Sequence, residues 1–269
     1  RFSDLDLIVD RAQRWADAVK SAVEKGRKIP SPPQVPKLNH GNPTGLYNGM
    51  IAPVVPYAVK GAIWYQGESN VGEGMLYHDK MKALIAGWRN VFNKKDLSFH
   101  FVQLAPYRYN RGDALPDIWE AQVATLSVPG TGMAIITDIG NTQDIHPRNK
   151  QDVGKRLALW ALAKDYGKEN SVYSGPLYKS MQVEGEKIRI QFAHTGTGLV
   201  SRDGKDLTDF MISSSNGEFV AAEATIDGHT VLVSAENVTE PKNVRFGWQE
   251  IVNPNLSNKE GLPASPFRT

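Results

Sequence analysis

Residues 58–70 read Ala-Val-Lys-Gly-Ala-Ile-Trp-Tyr-Gln-Gly-Glu-Ser-Asn, an apolar run that turns abruptly into a polar segment. The apolar part, Lys60–Tyr65, predicts a short buried strand. A second strand is predicted over Met133–Thr137, and Asp144-Ile145-His146-Pro147 follows it in a loop before a helix. Parallel α/β sheets bind ligands outside the carboxyl ends of their strands. Both polar segments are therefore expected at the same functional edge of one sheet.

Strands and helices alternate through the first part of the chain, which is typical of a parallel α/β layer. After about residue 175 the pattern changes to short alternating segments with turn signals such as Asp227-Gly228, and this indicates an antiparallel β region. We therefore expect an α/β domain over residues 1–175 and an antiparallel β region with a terminal strap over 176–269. The predicted helices are 4–26, 76–93, 116–127 and 148–166; the predicted parallel strands are 60–65, 98–104 and 133–137; loop is expected at 27–45 and coil at 253–269.

Composition narrows the class of protein. Of 269 residues, 41% are hydrophobic and 22% are charged, as in ordinary globular proteins. The net charge of +2 comes without a basic block, so neither a nucleic acid nor an anionic membrane is suggested as a partner. Cysteine is absent, which excludes disulfides and thiolate metal sites but does not fix the compartment. No apolar run approaches the ~20 residues of a membrane-spanning helix.

The two polar segments contain some of the groups that a hydrolase needs, but no nucleophile. An amide can bind a developing oxyanion, and a histidine beside a carboxylate can move a proton. No segment of the chain offers a convincing nucleophile. Because the chain starts at Arg1 and not at Met, we expect the nucleophile in a part that has been removed or that sits on another chain.

Several longer segments resemble the sialate O-acetylesterase-like family of the SGNH hydrolase superfamily. The matching segments are Gly45–Pro53, Gly61–Asn70, Asp144–Lys150, Val153–Ala158 and Gly261–Thr269. The resemblance implies a flavodoxin-like parallel sheet without its first strands, and removal of O-acetyl groups from sialic acids or related sugars. It implies acyl transfer to serine and then to water, with no metal and no cofactor. The family's Gly-Gln-Ser-Asn nucleophile segment is not in this sequence, so the resemblance implies a partner chain or fragment that carries it. We expect a periplasmic or secreted protein.

His146 is the candidate general base, since the adjacent carboxylate, Pro147 and the strand-end position all favour a functional histidine. Asp144 is the candidate that orients its imidazole. In the superfamily pattern the aspartate stands three positions before the histidine, where this chain has Gln143. Asp144 could instead cap the helix that starts near Pro147. Asp138, or a backbone carbonyl, could then orient His146.

Gln66 is the candidate oxyanion donor, with a buried bridge between loops as the alternative. Glu68 is expected to anchor the same loop by accepting backbone N–H groups, because a buried carboxylate must be paired or hydrogen-bonded. Ser69 resembles a nucleophile elbow but lacks the Gly-x-Ser-x-Gly pattern, so we do not expect it to be the nucleophile.

Aromatic and basic residues near the strand ends could contact a sugar. We expect one or two of the aromatic group to face ligand, the rest being core; Arg108 or Arg111 could meet the carboxylate of a sialic acid. The aromatic group is Trp64, Tyr65, Tyr107, Tyr109 and Trp119. The alternatives to a sialate esterase are a non-catalytic carbohydrate-binding module on the same fold and an acetylxylan-type esterase.

Overall fold

A computed structural model of the chain describes residues 2–33, 44–55, 57–168, 170–215 and 217–269. The chain divides into two compact units, residues 1–58 and 59–269. The parallel and the antiparallel strands both lie in the second unit. The expected boundary at residue 175 stays a prediction. Among the described residues, no helix is long and apolar enough to cross a membrane.

The first unit contains the helix α1, Phe2–Glu24. Gly26 ends it in the left-handed conformation, with φ 58°, and the Arg27 N–H donates to the Ala22 carbonyl at 2.8 Å. A π-helical turn, Tyr47–Ile51, follows later in this unit. Most of the loop predicted at 27–45 cannot be compared, because residues 34–43 lie outside the described part of the chain.

A three-stranded parallel sheet is the centre of the α/β part, in the order β1-β2-β3. This confirms the predicted α/β class. Each of the four predicted helices is present, and no end differs from its predicted position by more than two residues. The elements are β1 (Gly61–Trp64), α2 (Leu76–Val91), β2 (Ser98–Val102), α3 (Ala114–Thr125), β3 (Thr131–Ala134) and α4 (Lys150–Lys164).

Helices cover both faces of this sheet. Phe99 and Phe101 of β2 point to the face that α2 and α3 cover, and they pack there with Trp119. The alternate residue Val102 belongs to the cluster on the opposite face, where α4 supplies Leu157. Burial on both faces explains why β2 reads as a continuous apolar run rather than an alternating one.

The strand β1 lies at an edge of the sheet. Among the described residues it pairs with β2 alone. Its Ile63 side chain is 70% exposed, and Gly61 is exposed too. Since Ile63 lies beside His100 in the register, it projects from the face that α4 covers further along the sheet. Within the described residues, β1 therefore presents an unpaired strand edge that carries an exposed apolar side chain.

The antiparallel region that was predicted after residue 175 is also present. Two four-stranded sheets, in the orders β4-β5-β10-β9 and β13-β11-β7-β8, share one apolar core, and β6 pairs with β12. The core includes Ile190 and Val231 from the first sheet and Ile212 and Phe246 from the second. The strands are β4 (Leu177–Glu184), β5 (Lys187–Ala193), β6 (Leu199–Ser201), β7 (Phe210–Ser213), β8 (Phe219–Ala221), β9 (Glu223–Asp227), β10 (Thr230–Ser234), β11 (Asn243–Phe246), β12 (Leu256–Asn258) and β13 (Phe267–Arg268).

The prediction that residues 253–269 are coil is wrong for β12 and β13. Both strands are too short for periodicity to reveal them, and their pairing partners β6 and β11 are remote in sequence. Polar side chains hold the segment in place: the buried Gln103 amide donates to Ser265 Oγ at 2.8 Å, and Arg268 pairs with Glu120 of α3 at 2.7 Å. The tail is thus part of the folded core.

Candidate active site

The two polar segments leave the sheet on either side of β2. The first follows β1 and carries Gln66; the second follows β3 and carries His146. Strands in a sheet lie about 4.8 Å apart, so the carboxyl ends of β1 and β3 are separated by roughly 10 Å. A separation of roughly 10 Å leaves room for a small acyl group between the two loops.

A relay of side chains fixes the Gln66 amide. Gln66 Nε2 donates to Asn70 Oδ1 at 3.0 Å, and Asn70 Nδ2 donates to Glu73 at 3.0 Å. The ammonium of Lys80 in α2 completes the relay at 2.6 Å from the other Glu73 oxygen. Gln66 is exposed, and its amide carries a second hydrogen that can reach a ligand. The relay therefore presents an N–H donor in a fixed orientation.

The backbone at this loop depends on Gly67 and Tyr77. Gly67 is buried with φ 148°, and a Cβ there would lie 2.9 Å from the Tyr77 hydroxyl, so a larger residue does not fit. The Tyr77 hydroxyl donates to the Gln66 carbonyl at 2.8 Å. Burial raises the pKa of Tyr77 to about 12, so this phenol stays protonated at neutral pH. Sequence patterns missed Tyr77 because its contact with Gln66 depends on how α2 docks beside the loop.

Glu68 and Ser69 lie in a 3₁₀ turn, Glu68–Asn70. The Glu68 carboxylate accepts the N–H of Gly67 at 2.9 Å, which is the kind of contact expected from a loop anchor. Burial, followed by the nearby Glu68 charge, raises the pKa of Tyr65 to about 12. Ser69 is exposed within the turn, and no described histidine contacts it.

In the second loop, Asp144 acts on the backbone of His146. One carboxylate oxygen accepts the His146 N–H at 2.9 Å, which makes an Asx turn. The imidazole of His146 is exposed, and within the described residues it has no hydrogen-bond partner. Asp144 therefore shapes the loop through the backbone, and within the described residues it forms no hydrogen bond with the imidazole ring.

Two of the alternatives for this loop are corrected by the structure. Asn149, not Asp144, caps α4: its Oδ1 accepts the Asp152 N–H at 3.1 Å. Asp138 does not orient His146, because both of its oxygens accept from the guanidinium of Arg156, at 2.6 and 2.7 Å. These residues are 13% and 11% exposed, so the ion pair is nearly buried. Arg156 also donates to the Ile135 carbonyl and thereby fixes the start of the loop.

One contact joins the two segments directly. The Lys150 ammonium, at the start of α4, lies 4.2 Å from the centre of the Tyr65 ring, next to Gln66. Gly140 packs the second loop against the end of β2, where an added Cβ would lie 3.2 Å from Ala105 and Pro106. The described residues show no contact between Gln66 and His146 themselves. The two loops are therefore neighbours at the same edge of the sheet, joined through Lys150 and Tyr65.

The aromatic residues divide between core and surface. Trp119 is fully buried and donates its indole N–H to the Leu104 carbonyl at 2.7 Å, so it belongs to the core and not to a sugar-binding wall. Trp64 also packs into the core, against Phe99. Tyr107 and Tyr109 form an edge-to-face pair with ring centres 5.0 Å apart and are half-buried. Of the group, Tyr65, Tyr107 and Tyr109 remain available to a ligand.

Comparison with known proteins identifies the family that this chain resembles. Residues 35–162 match a family model described as "Carbohydrate esterase, sialic acid-specific acetylesterase". The sialate O-acetylesterase of Rattus norvegicus is 36% identical over 207 residues, which cover 70% of this chain and 37% of the rat protein. The sialate O-acetylesterase of Homo sapiens is 31% identical over 204 residues, which cover 65% of this chain and 39% of the human protein. The chain thus spans a little over a third of the length of the curated relatives it matches.

A solved structure supports the fold. A carbohydrate acetylesterase from Xanthomonas citri superposes with a TM-score of 0.79 and is 42% identical; the match covers 83% of this chain and 53% of that one. Both polar segments at the sheet edge lie within the range of the family model. The chain belongs to the sialate O-acetylesterase-like family of carbohydrate esterases.

Proposed function

We propose that this protein removes O-acetyl groups from sugars by acyl transfer to a serine that lies outside the present 269 residues. The observation that carries the proposal is the placement of Gln66 and His146 in two loops that flank the carboxyl end of β2. An amide donor and an imidazole in two neighbouring loops at one edge of the sheet are suited to a tetrahedral acyl-transfer intermediate.

In the proposed reaction, the serine oxygen attacks the acetyl carbonyl carbon while His146 takes the serine proton. The carbonyl oxygen becomes an oxyanion and accepts the free N–H of Gln66. The carbon–oxygen bond to the sugar then breaks, and His146 returns the proton to the departing sugar hydroxyl. Water, activated by His146, attacks the acetyl-serine and releases acetate. Asp144 supports the loop through the His146 backbone.

The missing nucleophile is proposed to come from a fragment or subunit that pairs with the open edge of β1. The edge has unsatisfied backbone groups, and the exposed Ile63 offers apolar surface to a covering segment. A strand added in parallel there would bring its carboxyl end beside the Gln66 loop, because parallel strands end at the same edge. This placement puts a serine on such a strand within reach of the cleft.

A serine-directed fluorophosphonate probe tests the proposal on the full-length gene product. We expect one labelled peptide, carrying Gly-Gln-Ser-Asn and not Ser69, and we expect the label to be lost in the His146→Ala variant. The isolated 269-residue chain should hydrolyse an aryl acetate poorly, because loss of a triad member costs several orders of magnitude. A turnover near ~10 per second that disappears in Ser69→Ala would refute the assignment of the nucleophile to another segment.

A non-catalytic carbohydrate-binding module is the second candidate function, and the absence of a family nucleophile from the sequence favours it. The same experiment separates the two, since a binding module would take no label in any form of the gene product. The expected periplasmic or secreted location stays a prediction that cell fractionation would test.

A further inference from the structure

A polar hollow of about 610 Å³ lies between the loop after β3 and the antiparallel region, in residues that the proposed reaction does not use. The loop contributes Thr137, Asp138 and Asn141, and the antiparallel region contributes Asp209 and Asn253. The volume is in the range of small-molecule sites. The hollow therefore has the size and the polar lining of a binding subsite.

The hollow adjoins the candidate catalytic loop. Asn141 lines it and also accepts the Asp144 N–H through its backbone carbonyl at 3.1 Å. Asp144 in turn accepts the N–H of His146. A ligand in contact with Asn141 would thus be connected to the proposed base through two consecutive hydrogen bonds of the same loop.

The polar groups of the hollow are held in place or lack a partner. Thr137 is only 3% exposed, and its hydroxyl has no hydrogen-bond partner among the described residues. A buried hydroxyl without a hydrogen-bond partner destabilises the folded protein, and a ligand that bonds to it would remove this free-energy penalty. Asp138 is fixed by Arg156. Arg202 donates to the side-chain oxygen of Asn253, so the NH₂ group of Asn253 remains available to a ligand.

The charge of the lining selects among sugars. Its ionisable residues are Asp138 and Asp209, and within the described residues no lysine or arginine lines the hollow. The charge of Asp138 is balanced by its ion pair with Arg156, so Asp209 supplies the negative charge that a ligand meets. Carboxylates accept hydrogen bonds from sugar hydroxyls, whereas they repel the carboxylate of a sialic acid. Ile251 and Val252 add apolar surface against which the C–H face of a pyranose can pack.

We propose that this hollow binds an uncharged sugar ring of the acetylated substrate, so that the enzyme prefers neutral O-acetylated glycans over O-acetylated sialic acids. The inference rests on the proposed esterase function and names its substrate class. Asp209 and Thr137 are the residues that set the preference. Because His146 does not line the hollow, hydrolysis requires the acetyl group of the bound sugar to project out of the hollow and reach the base.

Arg108 is the group that would oppose this preference. It is exposed beside a neighbouring hollow of about 360 Å³, which it shares with Asp113 and Glu250. Glu250 in the same lining carries the opposite charge and weakens the attraction of Arg108 for an anionic ligand, whereas Asp113 is paired with Arg245 at 3.7 Å. Arg111, the other arginine considered for a sialic acid, donates its guanidinium to the Val71 carbonyl at 2.8 Å. Binding of a sialic acid through Arg108 is therefore the competing outcome.

The test compares two substrates on the full-length gene product: methyl 6-O-acetyl-β-D-glucopyranoside and 9-O-acetyl-N-acetylneuraminic acid. We expect kcat/KM to be at least tenfold higher for the neutral sugar. Thr137→Val should raise KM for that sugar several-fold. Asp209→Lys should lower the ratio of neutral to anionic kcat/KM by about tenfold or more, since it replaces a repelling charge with an attracting one. Asp227→Lys, the same change in the β9–β10 hairpin, should leave the ratio as it is.

Two results would overturn the proposal: a preference for the sialic acid that Arg108→Ala abolishes, or a substrate ratio that Asp209→Lys does not move. Failure of the esterase function has a different signature, namely no hydrolysis of either sugar or of 4-nitrophenyl acetate. In that case saturation-transfer NMR with methyl β-D-glucopyranoside and N-acetylneuraminic acid tests the hollow without turnover. Binding of the glucoside that Asp209→Lys weakens supports the neutral-sugar subsite; binding of the sialic acid alone refutes it.

Discussion

The hydroxyl of Tyr77 and the backbone carbonyl of Gln66 lie 2.8 Å apart, and this hydrogen bond links the first turn of α2 to the candidate oxyanion loop. Tyr77→Phe removes the donor and keeps the ring. We expect a loss of about 1 kcal/mol in the free energy of unfolding and a several-fold fall in kcat, because the loop loses a restraint. Urea unfolding and steady-state kinetics on the full-length gene product measure the two effects.

The role of Tyr77 in positioning Gln66 can be separated from a role in stability. If Tyr77 acts through Gln66, the double variant with Gln66→Ala should be no slower than Gln66→Ala alone. Tyr166→Phe, at an exposed tyrosine, is the matched control and should change neither quantity. Additive rate losses in the double variant would contradict the positioning role.

Gln66→Ala should lower kcat by on the order of a hundredfold with little change in KM, because an oxyanion donor acts on charge that develops in the transition state. Gln66 is exposed and bonded to Asn70, so its removal should scarcely change the melting temperature. Gln182→Ala, at an exposed glutamine in β4, serves as the control. An unchanged rate per folded molecule would remove Gln66 from the site.

His146→Ala should abolish turnover and leave the fold intact, since the imidazole is exposed. Two substitutions separate the possible roles of Asp144. Asp144→Asn keeps an oxygen that can accept the His146 N–H, whereas Asp144→Ala loses it. We expect Asp144→Asn to retain most activity and Asp144→Ala to cost about 1 kcal/mol of stability, as the loss of a cap does.

A different result is expected if Asp144 acts directly on the imidazole ring. If its charge stabilises the imidazolium directly, Asp144→Asn should lose up to roughly 10⁴-fold in rate, the loss the serine-protease triad shows for this change. Melting of that variant would then be unchanged. Kinetics and thermal unfolding of both variants decide between these roles.

Asp138→Ala should be the most destabilising of these changes, by about 3 kcal/mol, because it leaves the guanidinium of Arg156 nearly buried without its partner. Lys82→Ala breaks an exposed pair with Asp79, in which both side chains are more than half exposed, and should cost less than about 0.5 kcal/mol. Urea unfolding of the two variants gives the comparison. Equal losses would show that the Asp138–Arg156 pair contributes no more than a surface contact.

The isolated chain should associate through the β1 edge. Ile63→Lys places a charge on the exposed edge and should reduce aggregation without lowering the melting temperature. Val183→Lys, on a partly exposed strand of the antiparallel region, is the control. Light scattering during heating checks the prediction, and equal aggregation of wild type and Ile63→Lys would contradict it.

Long periodic segments were the predictable part of this fold. The apolar run of β2 and the amphipathic pattern of α2 gave the correct element types because many residues report the same period. The strands β12 and β13 could not be found, since two or three residues carry no period and their partners are more than twenty residues away. Sequence also could not show that Trp119 is core, because an aromatic residue near a strand end fits either role.

The sequence identified the residues of the candidate site but not most of the contacts that they make. Gln66, Glu68, Asp144 and His146 were identified from their motifs, and their catalytic roles remain predictions. The ion pair between Asp138 and Arg156 and the hydrogen bond from Tyr77 depend on how helices dock onto the sheet. Such contacts between remote segments leave no local signal.

The attachment of the tail to the sheet sets the order in which the chain can mature. Gln103 is completely buried and bonds to Ser265, which is 162 residues later. At a synthesis rate of about 5–20 residues per second, Ser265 is synthesised roughly 10–30 s after Gln103. Contacts of such long range also slow the folding step itself. The nascent α/β layer therefore lacks this buried contact for many seconds after Gln103 has been synthesised.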